Sequence, residues 1–304
     1  MTGTPATPRW LDDQMAPVHE RSSPQHVLVT LLGDYWMDQE GDLPSAALVA
    51  LLGEFGVSSA SARAALNRLL RRGQVDVRKT GRKTYYRLSD DSATRIREGG
   101  RRIIRFGQHS EWDRRWCVVV FSVPEDKRDS RHLLRSRLRW FGFAPLYDAV
   151  WVSPSADADT ANQVLADLAV TSATVFTATT VGGADSRHPL AAWDLLDLRR
   201  TYDEFTDRAE QICHRLRDGR VHPAEALVIR TRLMDDYRRF PADDPGLPDD
   251  EMPDGWPRAR ARAAFIAAYD ALGPLAEVRV RQIVSLFDAE AADRARYLDA
   301  NTMA

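Results

Sequence analysis

Residues 58–88 read SSASARAALNRLLRRGQVDVRKTGRKTYYRL, and two periodicities lie side by side in them. From Ser58 to Arg72 the apolar residues Ala62, Ala65, Leu66, Leu69 and Leu70 recur at three- and four-residue spacing, one stripe of a helix. Ser58 can cap that helix by accepting from backbone amides, and Gly73 stops it. After Gly73 the period drops to two. Val75-Asp76-Val77-Arg78 and Lys83 to Leu88 alternate on either side of the turn Thr80-Gly81-Arg82, which predicts a two-stranded hairpin. On another face of the helix Ser59, Arg63 and Asn67 fall at i, i+4 and i+8. These residue types reach base edges and phosphates in a major groove, and Arg68, Arg71 and Arg72 beside them suit the backbone. The hairpin gathers Arg78, Lys79, Arg82 and Lys83 at its turn, where packing does not require them. A basic ribbon directly after such a helix can contact a neighbouring groove or phosphates. Ser58, Ser59, Arg63, Asn67, Arg68, Arg71, Arg78, Lys79, Arg82 and Lys83 are therefore the candidate DNA contacts.

Working outward, the polar, Pro- and Thr-rich residues 1–23 read as a flexible tail. Ser22 or Ser23 before Pro24 opens a helix carrying Val27, Leu28, Leu31 and Leu32. Gly41-Asp42 breaks the chain. Leu43-Pro44-Ser45 opens a second helix with Leu48, Leu51 and Leu52, ending at Glu54-Phe55-Gly56. Gly56 permits the positive φ of a tight interhelical turn. Three helices followed by a basic hairpin, over residues 24–90, predict a winged helix-turn-helix. Asp90 to Phe106 reads as a basic helix or linker interrupted at Gly99-Gly100, within a linker spanning 91–110.

Downstream, the strand WCVVVFSV (116–123), a helix from Lys127 to Phe141, short strands at Ala144–Leu146 and Val150–Val152, a helix from Ala158 to Leu168 and a strand from Ala173 to Val181 give the order β-α-β-β-α-β. That order predicts a ferredoxin-like domain over 111–185. Helices follow at Pro189–Leu216, Pro223–Arg239 and Pro257–Leu272, around an aperiodic loop from Phe240 to Pro257. The chain then frays towards Ala304, which makes 186–304 an all-helical domain. The fold class is α+β and multidomain.

The 304 residues carry a formal charge of −2, which hides a polarity. Ser59 to Arg105 holds 14 Lys and Arg against four acids, whereas acidic runs such as Asp249-Asp250-Glu251 come late. Only three of the 42 basic residues are Lys, so the Arg excess reads as composition rather than as phosphate binding. Cys117 and Cys213 make neither a disulfide framework nor a zinc spacing. No apolar run approaches the ~20 residues of a membrane helix, and a cytoplasmic protein is expected. The sequence lacks GxSxG, HExxH, P-loop and GxGxxG motifs. The opposing reading is an enzyme, a metal-dependent nuclease on the ferredoxin-like domain. Asp126, Asp129, Asp148, His109 and His132 could serve it, but their spacing is generic. Cys117, inside an apolar strand, reads as an inert core thiol. No catalytic residue, metal or cofactor is assigned.

Three separated segments carry a resemblance. SSASARAALNRLLRRGQVDVRKTGRKTYYRLS resembles the winged-helix head of the PaaX family. WDRRWCVVVFSVPEDKRDSRHLLRSRLRWFGFAPLYDAVWVSP, with Trp116, Pro124, Arg131, Gly142-Phe143 and Trp151-Val152-Ser153-Pro154, resembles its middle domain. YRRFPADDPGLPDDEMPDGWP resembles its C-terminal signature around Tyr237, Arg238, Asp244, Pro245, Leu247, Pro248 and Trp256. The likeness spans Pro24 to Leu272. It departs at Arg258, where the family pattern has Gly. The resemblance implies a repressor of phenylacetate degradation, released from operator DNA by an aryl-CoA such as phenylacetyl-CoA or a related acyl-CoA. A CoA ester needs Arg near aromatics. Two clusters offer that: Arg199-Arg200 with Trp193 and Tyr202, and Arg230, Arg232, Arg238 and Arg239 with Tyr237. Asp197, Asp203, Asp235 and Asp236 stand ready to pair with the same arginines instead. The loop from Asp244 to Pro248 reads as a brace between helices, with Trp256 as its anchor. Two-fold operators make a homodimer the expected assembly.

Overall fold

Ser23 accepts a hydrogen bond from the His26 N–H at 3.3 Å, and Pro24 fills a first-turn position whose N–H would have no intrahelical acceptor. These two residues start the first helix in a computed structural model that describes residues 23–37, 41–108, 112–124, 128–181 and 187–304. The expected tail lies outside the described residues except for Ser23. Contacts divide the chain into two units. One holds 23–105, 205–237 and 262–304; the other holds 106–204 and 238–261.

In the first unit α1 (Pro24–Trp36) buries Val27, Leu28, Leu31 and Leu32, the stripe that their spacing predicts. It is followed by β1 (Leu43–Pro44), α2 (Ser45–Gly53) and α3 (Ser59–Arg71). Ser58 caps α3 by accepting from the Ser61 N–H at 3.2 Å. The buried side of α3 is Ala62, Ala65, Leu66 and Leu69, and the two alanines let neighbouring helices approach closely. β2 (Val75–Thr80) and β3 (Lys83–Leu88) pair antiparallel, with Thr80 opposite Lys83. The two-residue loop between them has Gly81 at φ +59, the first central position of a hairpin turn where glycine alone is comfortable.

The two-stranded hairpin that the sequence predicts is present, but it does not stand alone. Leu43 and Pro44 pair with Tyr86 and Tyr85, giving the order β1-β3-β2. Pro44 suits this edge because it owes the ladder no N–H. Nor is the next helix interrupted: α4 (Asp90–Arg105) runs unbroken through Gly99-Gly100. A Cβ on Gly100 would lie 3.2 Å from Met303 Cε, so the small residue admits a tertiary contact that offsets its poor helix propensity.

The helices that close this unit are α7 (Leu195–Arg217), α8 (Pro223–Tyr237), α10 (Arg258–Ser285), α11 (Ala289–Arg294) and α12 (Ala300–Met303); α7 and α10 also contribute to the second unit. Three boundaries differ from the sequence reading. Pro189–Ala192 is a separate 3₁₀ turn, and α7 begins later because Asp194 accepts from the Asp197 N–H at 3.0 Å and starts a new helix. α10 continues past Leu272 through Gly273-Pro274 to Ser285. The segment beyond it does not fray. Backbone N–H groups of Arg296 and Leu298 bond to the carbonyls of Tyr35 and Asp34, both at 3.0 Å, and Trp36 Nε1 donates to Ala291 O at 3.2 Å.

The second unit contains β4 (Trp116–Phe121), α5 (Arg128–Trp140), β5 (Ala144–Tyr147), β6 (Val150–Ser153), α6 (Ala158–Asp167) and β7 (Ala173–Ala178), with α9 (Phe240–Asp243). Lys127, expected to start α5, lies outside the described residues. All strand pairs are antiparallel in the order β5-β6-β4-β7, the topology of a ferredoxin-like sandwich. Cys117, Val119 and Phe121 alternate onto the helix-covered face with Trp151, against Leu134, Leu138, Val164 and Leu165.

Candidate nucleic-acid interface

On α3 the apolar stripe faces inward, so Ser59, Arg63, Asn67 and Arg71 are left exposed on the outer side. Ser58 is committed to its cap, donating also to Ser61 Oγ at 3.0 Å. Arg71 Nε reaches back to Asn67 O at 3.4 Å, a contact too long to restrain it strongly. Arg68 is half buried against the helix pair. The hairpin turn presents Lys79, Arg82 and Lys83 to solvent. Arg78 is different. Its Nε donates to the Asp42 carboxylate, its NH1 to Thr80 Oγ1 at 3.2 Å, and its guanidinium lies 5.2 Å from the centre of the Tyr85 ring. Arg78 thus ties the middle of the hairpin to Asp42, a residue that local pattern did not flag.

The first unit also contains a buried polar core. Arg230 is 0% exposed. Its NH1 donates to Asp34 Oδ2 at 3.0 Å, its Nε to Tyr269 O at 3.2 Å and its NH2 to Leu298 O at 2.5 Å, while the Tyr269 hydroxyl donates to Asp34 Oδ1 at 2.8 Å. The guanidinium also lies 3.7 Å from the Tyr269 ring centre. Burial works against the Arg230 charge, but Tyr269, Asp34 and Tyr35 outweigh it and hold Arg230 above the ordinary arginine range. Burial lifts Asp34 above the usual carboxylate range against the pull of Arg230. Every face of Arg230 is occupied, so its expected role in effector binding gives way to a structural one. The clue in the sequence was Asp34, an acid on the buried stripe of α1 next to Leu31 and Leu32.

In the second unit Tyr202 is likewise enclosed, and cannot serve as an effector contact. Its ring stacks on Phe240 at 3.9 Å and its hydroxyl donates to Asp244 Oδ2 at 2.9 Å. Asp244 also accepts from Trp256 Nε1 at 2.9 Å, Arg258 Nε at 3.2 Å and the Gly246 N–H at 2.7 Å. Arg258 NH1 donates to Leu247 O at 2.7 Å. The aperiodic loop is therefore ordered around one buried carboxylate, and the unexpected Arg258 is part of its frame. Arg199 donates to the carbonyls of Asp254 and Gly255 at 2.9 and 3.0 Å and lies over Trp256; Arg200 pairs with Asp197 on the exposed side. Trp193 packs near Trp116 instead. Arg238 and Arg239 are half exposed and Arg232 is exposed. The two arginine clusters belong to different units except for Arg238 and Arg239, which fall in the same unit as Arg199 and Arg200.

Among the described residues no group of three or more His, Cys, Asp or Glu is arranged to hold a metal ion, and Asp126 and His109 lie outside them. Burial pushes the Cys117 thiol up to about 11, far from a nucleophile. Among the described residues no helix is long and apolar enough to cross a membrane.

Residues 23–92 match the family model described as PaaX-like protein, 109–190 match the PaaX protein central Cas2-like domain, and 193–282 match the PaaX-like protein C-terminal domain. The chain is 28% identical over 257 residues to the transcriptional repressor PaaX of Escherichia coli (strain K12), covering 82% of this chain and 80% of that one. A solved structure, the uncharacterized protein Rv0674 from Mycobacterium tuberculosis, aligns over 83% of this chain and 96% of its own with a TM-score of 0.48 and 23% identity. With three successive domain matches in the order of the sequence and a relative spanning most of both chains, the chain belongs to the PaaX family.

Proposed function

We propose that this protein is a transcriptional repressor that grips operator DNA with α3 in the major groove and the β2–β3 hairpin as a wing on the adjacent backbone. The observation that carries this reading is the exposed face itself: Ser59, Arg63 and Asn67 on one side of α3, followed at once by the basic turn of Lys79, Arg82 and Lys83. Base-reading and phosphate-binding residue types sit next to one another without being drawn into packing. The kinship is to a transcriptional repressor, which supports the sign of regulation. A two-fold operator held by a homodimer follows from the usual geometry of such heads. An aryl-CoA, phenylacetyl-CoA first, is the proposed releasing ligand, with Arg199, Arg200, Arg238 and Arg239 as the arginines that burial leaves within reach of its phosphates.

The test is a gel-shift titration of the full chain on DNA from its own promoter region, with and without phenylacetyl-CoA. Specific binding relieved by the thioester supports the whole reading. Specific binding indifferent to it removes the effector alone. No preference over unrelated DNA at low salt removes the repressor.

A further inference from the structure

We infer that Arg279, in the last third of α10, is a positioning residue for DNA reading, because it fixes the turn that presents α3. The inference rests on the DNA-binding reading above. Glu54 is the C-cap of α2, its N–H turned back to the carbonyls of Leu51 and Leu52. The chain reverses over the next three residues and enters the α3 cap at Ser58. Arg279 closes on the Glu54 carboxylate side-on, with Nε 3.0 Å from Oε2 and NH2 2.8 Å from Oε1. A two-bond fork of this kind restrains orientation as well as distance, which a single ammonium contact does not. The side chains are 32% and 19% exposed, so solvent screens the pair in part and its share in stability is modest. Its consequence is geometric and electrostatic. It pins the turn before the reading helix, and it neutralises an acid lying just ahead of a surface that must accept a polyanion.

A second, looser contact comes from the same end of the chain. Arg294, on α11, donates to Asp42 O at 3.4 Å, and the Asp42 carboxylate holds Arg78 of the wing. Segments after residue 278 therefore touch the interhelical turn directly and reach the wing through Asp42. Those are the two elements whose spacing must match adjacent features of a duplex.

Positioning and simple charge are separated by two variants that alter net charge in opposite directions, Arg279→Gln and Glu54→Gln. Each full-length variant is titrated, at one salt concentration, on a duplex from the chain's own promoter region and on an unrelated duplex of equal length, and its thermal midpoint is recorded. Both variants are expected to lower the ratio of the two affinities by about tenfold, towards the low end of what one misaligned base contact costs, with the midpoint lowered only slightly. If the ratio stays at its wild-type value while affinity for both duplexes rises in one variant and falls in the other, only charge is at work and the inference is overturned. A midpoint that drops in step with both affinities overturns it too, since the pair is then merely structural. A wild-type chain that does not distinguish the duplexes overturns the DNA-binding reading first, and the inference with it.

Discussion

Arg258→Ala removes the only cation that the described structure places on the buried Asp244 carboxylate. Arg258 is 5% exposed and Asp244 is 2% exposed, so the pair lies away from bulk water. Stranding one member of a buried ion pair costs about 3–5 kcal/mol. Asp244 keeps three neutral donors, Tyr202 Oη, Trp256 Nε1 and the Gly246 N–H, which moves the expected cost to the lower end. The Leu247 carbonyl also loses its donor, adding about 1 kcal/mol. We expect a loss of about 3–4 kcal/mol. Urea unfolding followed at the resolved Trp256 indole N–H resonance, one of eight tryptophans, reads this unit rather than the whole chain. A double-mutant cycle with Asp244→Asn gives the cause, because in that background no charge is stranded and Arg258→Ala should cost less than half as much. A loss under about 1 kcal/mol, or an equal loss in both backgrounds, would refute the idea that a buried carboxylate organises the loop.

Arg63→Ala should lower specific affinity by about 1–3 kcal/mol at fixed salt if Arg63 forks onto a base edge, and an unchanged affinity would remove it from that role. Lys83→Ala should weaken binding to every duplex alike and shallow the slope of log K against log salt by about one, whereas an effect confined to one base position would contradict a phosphate contact. Burial holds the Cys117 thiol near 11, so at pH 8 about one part in a thousand is thiolate. Because its folded value is raised above the ordinary cysteine range, the reactive form is suppressed at neutral and mildly alkaline pH and emerges as pH rises towards 11. Burial raises the Cys213 thiol as well, but Cys213 is partly exposed, so iodoacetamide on the native chain should label it well before the buried Cys117. Equal labelling before unfolding would show that the β4 face is open.

The sequence alone determined the features that depend on neighbours a few residues away. The cap at Ser58, the apolar stripe of α3, the change of period after Gly73, and the Gly81 turn all rest on local backbone and side-chain preferences, and each lies where its spacing put it. The same holds for the β-α-β-β-α-β order, since alternation and helical spacing survive without knowledge of partners. Tertiary structure decided everything that required a partner far along the chain. Leu43-Pro44 becomes a strand only because Tyr85 and Tyr86 offer an edge. α10 passes Gly273-Pro274 where a sequence rule stops it, and there the bare glycine leaves room for the Tyr297 ring, which would lie 2.3 Å from an added Cβ. Arg230, which by composition alone suited a ligand's phosphates, meets Asp34 from 196 residues away and is buried by it. A charged side chain is a binding group or a structural one according to which opposite charge the fold brings within 3 Å, and no local pattern encodes that encounter.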